Sequence, residues 1–526
     1  MATLQASTIG VEVGPFRNEP LTDFTKDENK RAMQAAIAKV RSELGREYDL
    51  VIGGKRYRTK DKIRSINPGK PSELVGLFQK AGTAEVEPAM SAALAAFETW
   101  SRTRVEERAA VLLRAAKILK ERKHYFSAWM IFEVGKNWAE ADADMAELID
   151  FCEFYAREAL RLAKAEPPVQ LPGERDYLWY IPLGVGIVIP PWNFPGAIMG
   201  GMTTAAIVSG NTVILKPSSD SPAIAAKFFE VLEEAGMPAG VVNFCPGAGA
   251  SFGDALVAHP KTRFVTFTGS KEVGLRINHV AAQTAPGQIW IKRVVLEMGG
   301  KDAIIVDSDA DLDSAVEGVT SSAFSFTGQK CSACSRLILD EKVYDSFLEK
   351  LVARVKKITV GDVTENANMG PVINEASMKS ILQYIEHGKK DGRLLTGGNR
   401  VAGNDGYFIE PTIFADIPAR SKLEQEEIFG PVLAVIKARN FDHALEIAND
   451  TEFGLTGSIY TRSESKIEKG MREFHVGNLY INRKCTGAIV GAHPFGGFNM
   501  SGTDSKAGGP DYLYLFTQAK SIGKKL

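Results

Sequence analysis

The chain has 526 residues, with 63 Lys plus Arg against 64 Asp plus Glu and a formal net charge of -1. At roughly 150 residues per domain this length suggests two to four domains, enough to bury cores without disulfide or metal staples. A balanced charge excludes the basic footprint of a nucleic-acid binder and the polybasic patch that docks on anionic membranes. The five cysteines, Cys152, Cys245, Cys331, Cys334 and Cys485, are few and odd in number, which fits a reducing compartment better than a disulfide scaffold.

The N-terminus, MATLQASTIGVEVGPFRNEP, has no basic segment followed by an apolar run and little Arg, so neither a signal nor a transit peptide is expected. Helical periodicity appears at 29–44, followed by a strand-turn-strand at 50–57 and helices at 85–99, 104–121, 123–134 and 138–165. Segment 166–180 changes character: Pro167, Pro168, Pro172 and Gly173 precede the alternating run Tyr177-Leu178-Trp179-Tyr180, the pattern of a protruding hairpin strand. The apolar stretch 185–208 is broken by Pro190, Pro191 and Pro195, so no membrane span is expected there and the default location is cytoplasmic. From 181 strands and helices alternate, with strands at 186–189, 212–215, 241–244 and 263–267 and a helix at 223–235. A second series has strands at 303–306, 335–339, 432–436 and 478–481 and helices at 312–324 and 343–358. Such alternation predicts parallel sheets covered by helices: two α/β domains with a hairpin extension and a ligand cleft between them.

Several loops between these elements carry chemistry-bearing residues. Cys331 lies in Thr327-Gly328-Gln329-Lys330-Cys331, just after the helix 312–324. A thiolate there, near backbone N–H groups and a Lys, is expected to have a lowered pKa and to act as a nucleophile. The plainer readings are a buried structural cysteine or, with Cys334, a CxxC pair. A zinc site would need a second ligand pair, and none is spaced for it, so no metal is expected. Glu297 ends an apolar strand and is followed by Gly299 and Gly300, a place where α/β folds put active sites; a raised pKa would make it a general base. The Asn193 amide, in PPWNFP at 190–195, can donate to an oxyanion, although turn chemistry also favours Asn and Pro. Gly247, Gly249 and Gly253 form GxGxxxG rather than the GxGxxG dinucleotide fingerprint. Phe267-Thr268-Gly269-Ser270 leaves a strand and opens a helix at about Lys271, whose N-terminus suits a pyrophosphate. Lys216 closes a third strand, placed to reach an adenosine ribose.

In chain order these residues resemble the aldehyde dehydrogenase superfamily: PWNFP at 191–195, KPS at 216–218, GxGxxxG at 247–253, FTGS at 267–270, LEMGGK at 296–301, GQKC at 328–331, EEIFGPV at 426–432 and PFGG at 494–497. The resemblance implies a Rossmann-type cofactor domain (1–165 and 181–296, with an N-terminal helical part), an α/β catalytic domain (297–505) and a β-hairpin oligomerisation flap (166–180 and 506–526). It implies that Cys331 attacks an aldehyde, that Asn193 and the Cys331 N–H hold the oxyanion, and that Glu297 activates water on the thioester. NAD would be held by Ile189, Pro190, Trp192, Lys216, Ser218, Ser219, Gly249, Gly253, Phe267, Thr268, Gly269 and Ser270, with Glu427 and Phe429 on its nicotinamide ribose and ring. A homo-oligomer is implied as well.

The segments TGAIVGAHPFGG at 486–497, GQKCSACSR at 328–336, GTDSKAGGPDYL at 502–513 and Asn18–Phe24 resemble the 1-pyrroline-5-carboxylate dehydrogenases. That family oxidises glutamate γ-semialdehyde to glutamate in proline catabolism, and the resemblance implies a partnership with a separate proline dehydrogenase. Ser332 with the N–H groups of Gly487 and Ala488 would take a carboxylate, Phe194 and Phe495 would pack the aliphatic stem, and Glu147 would meet the α-ammonium. One departure concerns the cofactor. Where many NAD-specific relatives have Glu three residues after the KPS lysine, this chain has Ser219, which would not repel a 2′-phosphate, so NAD is expected with NADP tolerated. Another ω-semialdehyde as substrate, a CoA-acylating relative and a non-catalytic nucleotide-binding protein on the same fold stay open as alternatives.

Overall fold

The computed structural model describes residues 13–167 and 169–526. Residues 1–12, which carry most of the reading of the N-terminus, and Pro168 of the projecting segment lie outside the described residues.

Two seven-stranded sheets form the body. The first runs in the order Arg293–Glu297, Thr262–Thr268, Val185–Ile189, Thr212–Leu215, Val242–Phe244, Leu50–Ile52, Lys55–Tyr57. Its first five strands are parallel. Strands such as Val-Gly-Ile-Val-Ile at 185–189 and Thr-Val-Ile-Leu at 212–215 are buried throughout, as expected for strands with helices on both faces. The strand-turn-strand expected at 50–57 forms this sheet edge, with Leu50–Ile52 antiparallel both to Val242–Phe244 and to Lys55–Tyr57. Its turn is Gly53-Gly54, both at positive φ, the backbone that a two-residue hairpin loop requires. The chain reverses its direction of sheet growth between Val185–Ile189 and Thr262–Thr268. The carboxyl ends at Ile189 and Thr268 therefore flank a topological switch point, where open α/β sheets bind ligands.

The second sheet runs Arg393–Thr396, Thr412–Ala415, Val432–Ala438, Cys334–Asp340, Asp302–Val306, Thr456–Tyr460, Asn478–Ile481, and is parallel apart from the first strand. The carboxyl end of Arg293–Glu297 in the first sheet and the amino ends of Asp302–Val306 and Cys334–Asp340 in the second bring Glu297 and Cys331 to the junction of the two.

A helical layer covers the first sheet: Asp27–Glu43, Val86–Trp100, Val105–Glu121, Lys123–Val134 and Trp138–Leu162. Two of its carboxylates fasten it to the helices below. Glu133, fully buried, accepts from the Ala223 and Ile224 N–H groups at 2.6 and 2.9 Å and from the Ser65 hydroxyl at 3.0 Å. Asp144 accepts from the Ala197 N–H at 2.6 Å. Each supplies an anion to a helix N-terminus, where N–H groups lack intrahelical partners. Asn18 donates to Asp150 at 2.8 Å and to the Val490 carbonyl at 3.0 Å, so the N-terminal arm ties the long helix to the 486–497 loop.

The projecting segment differs from the hairpin expected at 166–180. Its strand is Glu174–Pro182, and its partner is the C-terminal strand Thr517–Lys525, paired antiparallel from Thr517↔Pro182 to Lys525↔Glu174. The proline-rich start forms no strand, because Pro lacks the N–H a ladder needs. Residues Tyr512–Phe516, which the flap expectation includes, form a tight turn whose Tyr512, Leu513 and Phe516 are buried in the main core. A three-stranded sheet of Arg46–Tyr48, Lys70–Gln79 and Lys62–Asn67 was not expected. Among the described residues no helix is long and apolar enough to cross a membrane.

Candidate active site

The helix Leu312–Phe324 stops at a turn in which Phe326, Thr327 and Gly328 all have left-handed backbones (φ 48°, 58° and 68°). For a non-glycine residue this conformation is costly and persists only where the surroundings enforce it. Here they do: the Thr327 hydroxyl donates to the Gly370 carbonyl at 2.9 Å, and the Gln329 side chain accepts from the Ile373 N–H at 2.8 Å. A Cβ on Gly328 would lie 2.3 Å from the Gly430 carbonyl oxygen, so only glycine fits. The turn delivers Cys331 to a point shared by two cavities.

The electrostatics of Cys331 correct the expectation of a lowered pKa. Burial pushes the thiol well above its ordinary value, and the carboxylates of Asp302, Glu427 and Glu297 push it in the same direction. Lys330 does not help, because its ammonium turns away to the Ser325 hydroxyl at 2.8 Å and lies 3.8 Å from Glu140. The resting nucleophile is a thiol, and the thiolate requires a base to take its proton. Of the CxxC pair, Cys334 is buried and its thiol hydrogen-bonds with that of Cys485.

Glu297 is 8% exposed. Its Oε1 accepts from the Ser505 N–H at 3.0 Å and the Ser505 hydroxyl at 2.7 Å, and its Oε2 accepts from the Gly497 N–H at 3.1 Å. Burial outweighs these donors and raises its pKa to about 7, the range suited to a base at neutral pH. Asn193 is buried in the loop after Val185–Ile189, and its Nδ2 donates to the Gln329 carbonyl at 3.0 Å. An amide nitrogen has two protons, so one fixes Asn193 to the nucleophile loop and the other remains for a ligand.

The switch-point cleft is lined by every residue expected to hold the dinucleotide, from Ile189 and Lys216 through Ser270 to Glu427 and Phe429. Lys216 is buried, has no carboxylate partner among the described residues, and is lowered to about 8 by burial. A Cβ on Gly253 would meet the Lys216 stem at 3.3 Å, so the glycine leaves the lysine room. Ser270 caps the helix Lys271–Ala282 by accepting from the Val273 N–H at 3.4 Å. Glu427 accepts from the Gly300 N–H at 3.0 Å, burial raises it to about 7, and a Cβ on Gly299 would lie 2.2 Å from its carboxylate. These features fit a dinucleotide: an N-terminal helix end for phosphates, an ammonium whose one bond is a long one to the Pro217 carbonyl at 3.4 Å, and a carboxylate beside Cys331. Asp220 lines the same cleft and was not expected from the sequence.

The second cavity lies on the other side of Cys331 and contains Glu147, Phe194, Ser332, Gly487, Ala488 and Phe495 together with Glu297. Arg483 pins the 486–488 loop, donating to the Thr486 and Gly487 carbonyls at 3.1 and 3.0 Å. Gly487 has a left-handed φ of 79°. Among the described residues the N–H groups of Gly487 and Ala488 donate to no other group. Glu147 is pushed up to about 8 by burial and by Asp144.

The family model for the aldehyde dehydrogenase family matches residues 56–522. The chain belongs to the aldehyde dehydrogenase family. It is 58% identical over 515 residues to the 1-pyrroline-5-carboxylate dehydrogenase of Geobacillus thermodenitrificans (strain NG80-2), covering 97% of this chain and 99% of that protein. A solved Thermus 1-pyrroline-5-carboxylate dehydrogenase with bound NAD is 52% identical, with a TM-score of 0.96 over 98% of this chain and 100% of that one. Proline utilization A from Bdellovibrio bacteriovorus is 45% identical with a TM-score of 0.96, and there the match covers 98% of this chain but 54% of the other.

Sequence reasoning missed several residues of this aldehyde dehydrogenase site. Ser505, His493 and Tyr512 line the second cavity, and each comes from a segment without a periodic pattern. Lys136, 1% exposed, pairs with Asp144 at 2.7 Å and lies 4.0 Å from the centroid of the Phe194 ring and 4.8 Å from that of Phe326. One buried cation thus joins the loop carrying Asn193 to the turn carrying Cys331. Lys136→Met keeps the stem but leaves Asp144 without its counter-ion, and should destabilise the fold by about 3–5 kcal/mol, measured as a lower denaturation midpoint at unchanged slope. Asn193→Ala should lower kcat by about 10²–10³-fold in steady-state assays, with the fold retained.

Proposed function

We propose that this enzyme oxidises L-glutamate γ-semialdehyde, the open form of 1-pyrroline-5-carboxylate, to L-glutamate with NAD, as the second step of proline degradation. The observation that carries this reading is the pair of N–H groups at Gly487 and Ala488, without an acceptor among the described residues, in a cavity that Cys331, Phe194 and Phe495 also line. Paired N–H groups in a glycine turn bind a carboxylate without needing a basic side chain. The α-carboxylate would lie there beside Ser332, the stem between Phe194 and Phe495, and the α-ammonium near Glu147. An arriving ammonium would bring Glu147 down from about 8 and convert it to the carboxylate.

In this mechanism Cys331 Sγ attacks the aldehyde carbon as the thiol proton passes to solvent, so that Glu297 remains ionised for the later attack of water. The carbonyl oxygen takes the negative charge and is held by the second Asn193 proton and the Cys331 N–H. Lys216, Ser218, Ser270, Glu427 and Phe429 would hold NAD in the switch-point cleft, where it would supply the hydride acceptor. Cys331 then carries a thioester. Water attacks it as Glu297 takes a proton, and glutamate leaves with the thiol restored.

Residues 1–165 and 181–296 would form the NAD(P) domain and 297–505 the catalytic domain, with the ribbon of Glu174–Pro182 and Thr517–Lys525 joining subunits of a homo-oligomer. A separate proline dehydrogenase would supply the substrate. With Ser219 in place of a glutamate, NAD should be preferred and NADP still used. Ser219→Glu should remove the NADP activity while leaving the NAD activity, and absolute NAD specificity of the parent would defeat the reading. The substrate assignment is tested by NADH formation with 1-pyrroline-5-carboxylate beside a panel of simple and ω-acidic aldehydes. A strong preference for the pyrroline supports it; activity only on the other aldehydes overturns it.

A further inference from the structure

We propose that Ser505 is a positioning residue for the general base, its hydroxyl keeping the Glu297 carboxylate ionised and fixed for attack of water on the thioester. The proposal rests on the reading of Glu297 as that base. A carboxylate has about four lone-pair sites, and three on Glu297 are occupied: Oε1 takes both the Ser505 hydroxyl at 2.7 Å and the Ser505 N–H at 3.0 Å, and Oε2 takes the Gly497 N–H at 3.1 Å. The site left open is on Oε2, where a water can be activated.

The mount of Ser505 is rigid. The Thr503 N–H donates to the Leu296 carbonyl at 2.9 Å, the Leu296 N–H to the Thr503 hydroxyl at 3.0 Å, and the Met298 N–H to the Ser501 carbonyl at 2.7 Å. Segment 501–505 therefore runs bonded alongside the strand end that carries Glu297. A Cβ on Gly502 would lie 2.5 Å from the Leu296 carbonyl oxygen, so the close approach depends on that glycine. Ser505 is 3% exposed yet lines the same cavity as Cys331 and Glu297.

The titratable groups facing Glu297 are Lys506 on this segment, Cys331 on the nucleophile turn and Tyr512 on the turn that follows. Burial raises the carboxyl, and the Ser505 hydroxyl is the first of the groups that oppose it, ahead of the two N–H donors and Lys506. A charge-assisted hydrogen bond from a hydroxyl favours the ionised form. Its loss should move the acid limb of kcat up by about one pH unit, a tenfold change in the ionised fraction below the limb.

The experiment compares parent, Ser505→Ala and Ser505→Thr over pH, with 1-pyrroline-5-carboxylate and NAD, as the ratio of variant to parent kcat at each pH. The ratio cancels the pH dependence of ring opening. For Ser505→Ala it should be about 0.1 below pH 6.5 and approach 1 in the alkaline range, with the pre-steady-state NADH burst intact. Ser505→Thr, which keeps the hydroxyl, should restore the parent profile. A ratio independent of pH, or loss of the burst, overturns the proposal. Glu297→Gln separates the two readings: full steady-state turnover in it would sink the base assignment itself, whereas an impaired Glu297→Gln beside a flat Ser505→Ala ratio would sink the role of Ser505 alone.

Discussion

Replacing Cys331 by Ala should abolish dehydrogenase turnover, with a loss on the order of 10⁴–10⁶-fold in kcat, while the protein stays folded and binds NAD. The expectation of a preserved fold follows from the local structure. The left-handed turn before Cys331 is held by Thr327 and Gln329, and the cysteine itself is only half-buried at the meeting point of two cavities. The dinucleotide contacts fall on other loops, so calorimetric titration with NAD should be little changed. The magnitude follows from chemistry. Without the sulfur no covalent intermediate forms, and holding aldehyde beside a hydride acceptor leaves no adduct from which the hydride can depart. Dehydrogenase activity surviving in Cys331→Ala would exclude the thioester route.

Glu297→Gln should separate the two halves of the reaction. The amide keeps the shape and can still approach Gly497 and Ser505, but it cannot take a proton from water. Thioester hydrolysis should slow by about 10²–10⁴-fold, so that a first turnover of NADH appears as a burst followed by a slow steady state. In the parent, kcat should rise with pH through about 7, because the buried carboxyl titrates there and only its ionised form is a base. In Glu297→Gln that limb should disappear from the slow phase. Stopped-flow NADH absorbance over pH checks both statements. If the burst is lost along with the steady state, Glu297 is also required to take the thiol proton from Cys331, whose own pKa is held high.

The strand and helix alternation from residue 181 onward was legible because buried parallel strands are short apolar runs with helices between them. The active-site loops were legible because each follows a strand or helix end at a recognisable motif. What the sequence concealed has physical reasons. Thr517–Lys525 is polar and exposed along nearly all its length, so it shows no apolar alternation, and only its pairing with Glu174–Pro182 makes it a strand. The strands at 46–79 mix charged and apolar positions without a clean period, since one of them is buried mainly toward its C-terminal half. Lys136 and Ser505 are ordinary residues in local sequence. Their importance comes from partners eight and about two hundred positions away, in Asp144 and Glu297. The lowered thiol pKa expected for Cys331 failed for a related reason. The adjacent Lys330 suggested electrostatic help, but the fold points that lysine toward Ser325 and surrounds the thiol with carboxyl groups.

The covalent route on Cys331 is tested most directly by intact-protein and peptide mass spectrometry of Glu297→Gln, quenched after mixing with 1-pyrroline-5-carboxylate and NAD. The mechanism predicts one glutamyl group per chain, located on Cys331 and dependent on NAD. An unmodified chain that has nevertheless released a full equivalent of NADH, or an adduct on any other residue, would contradict it.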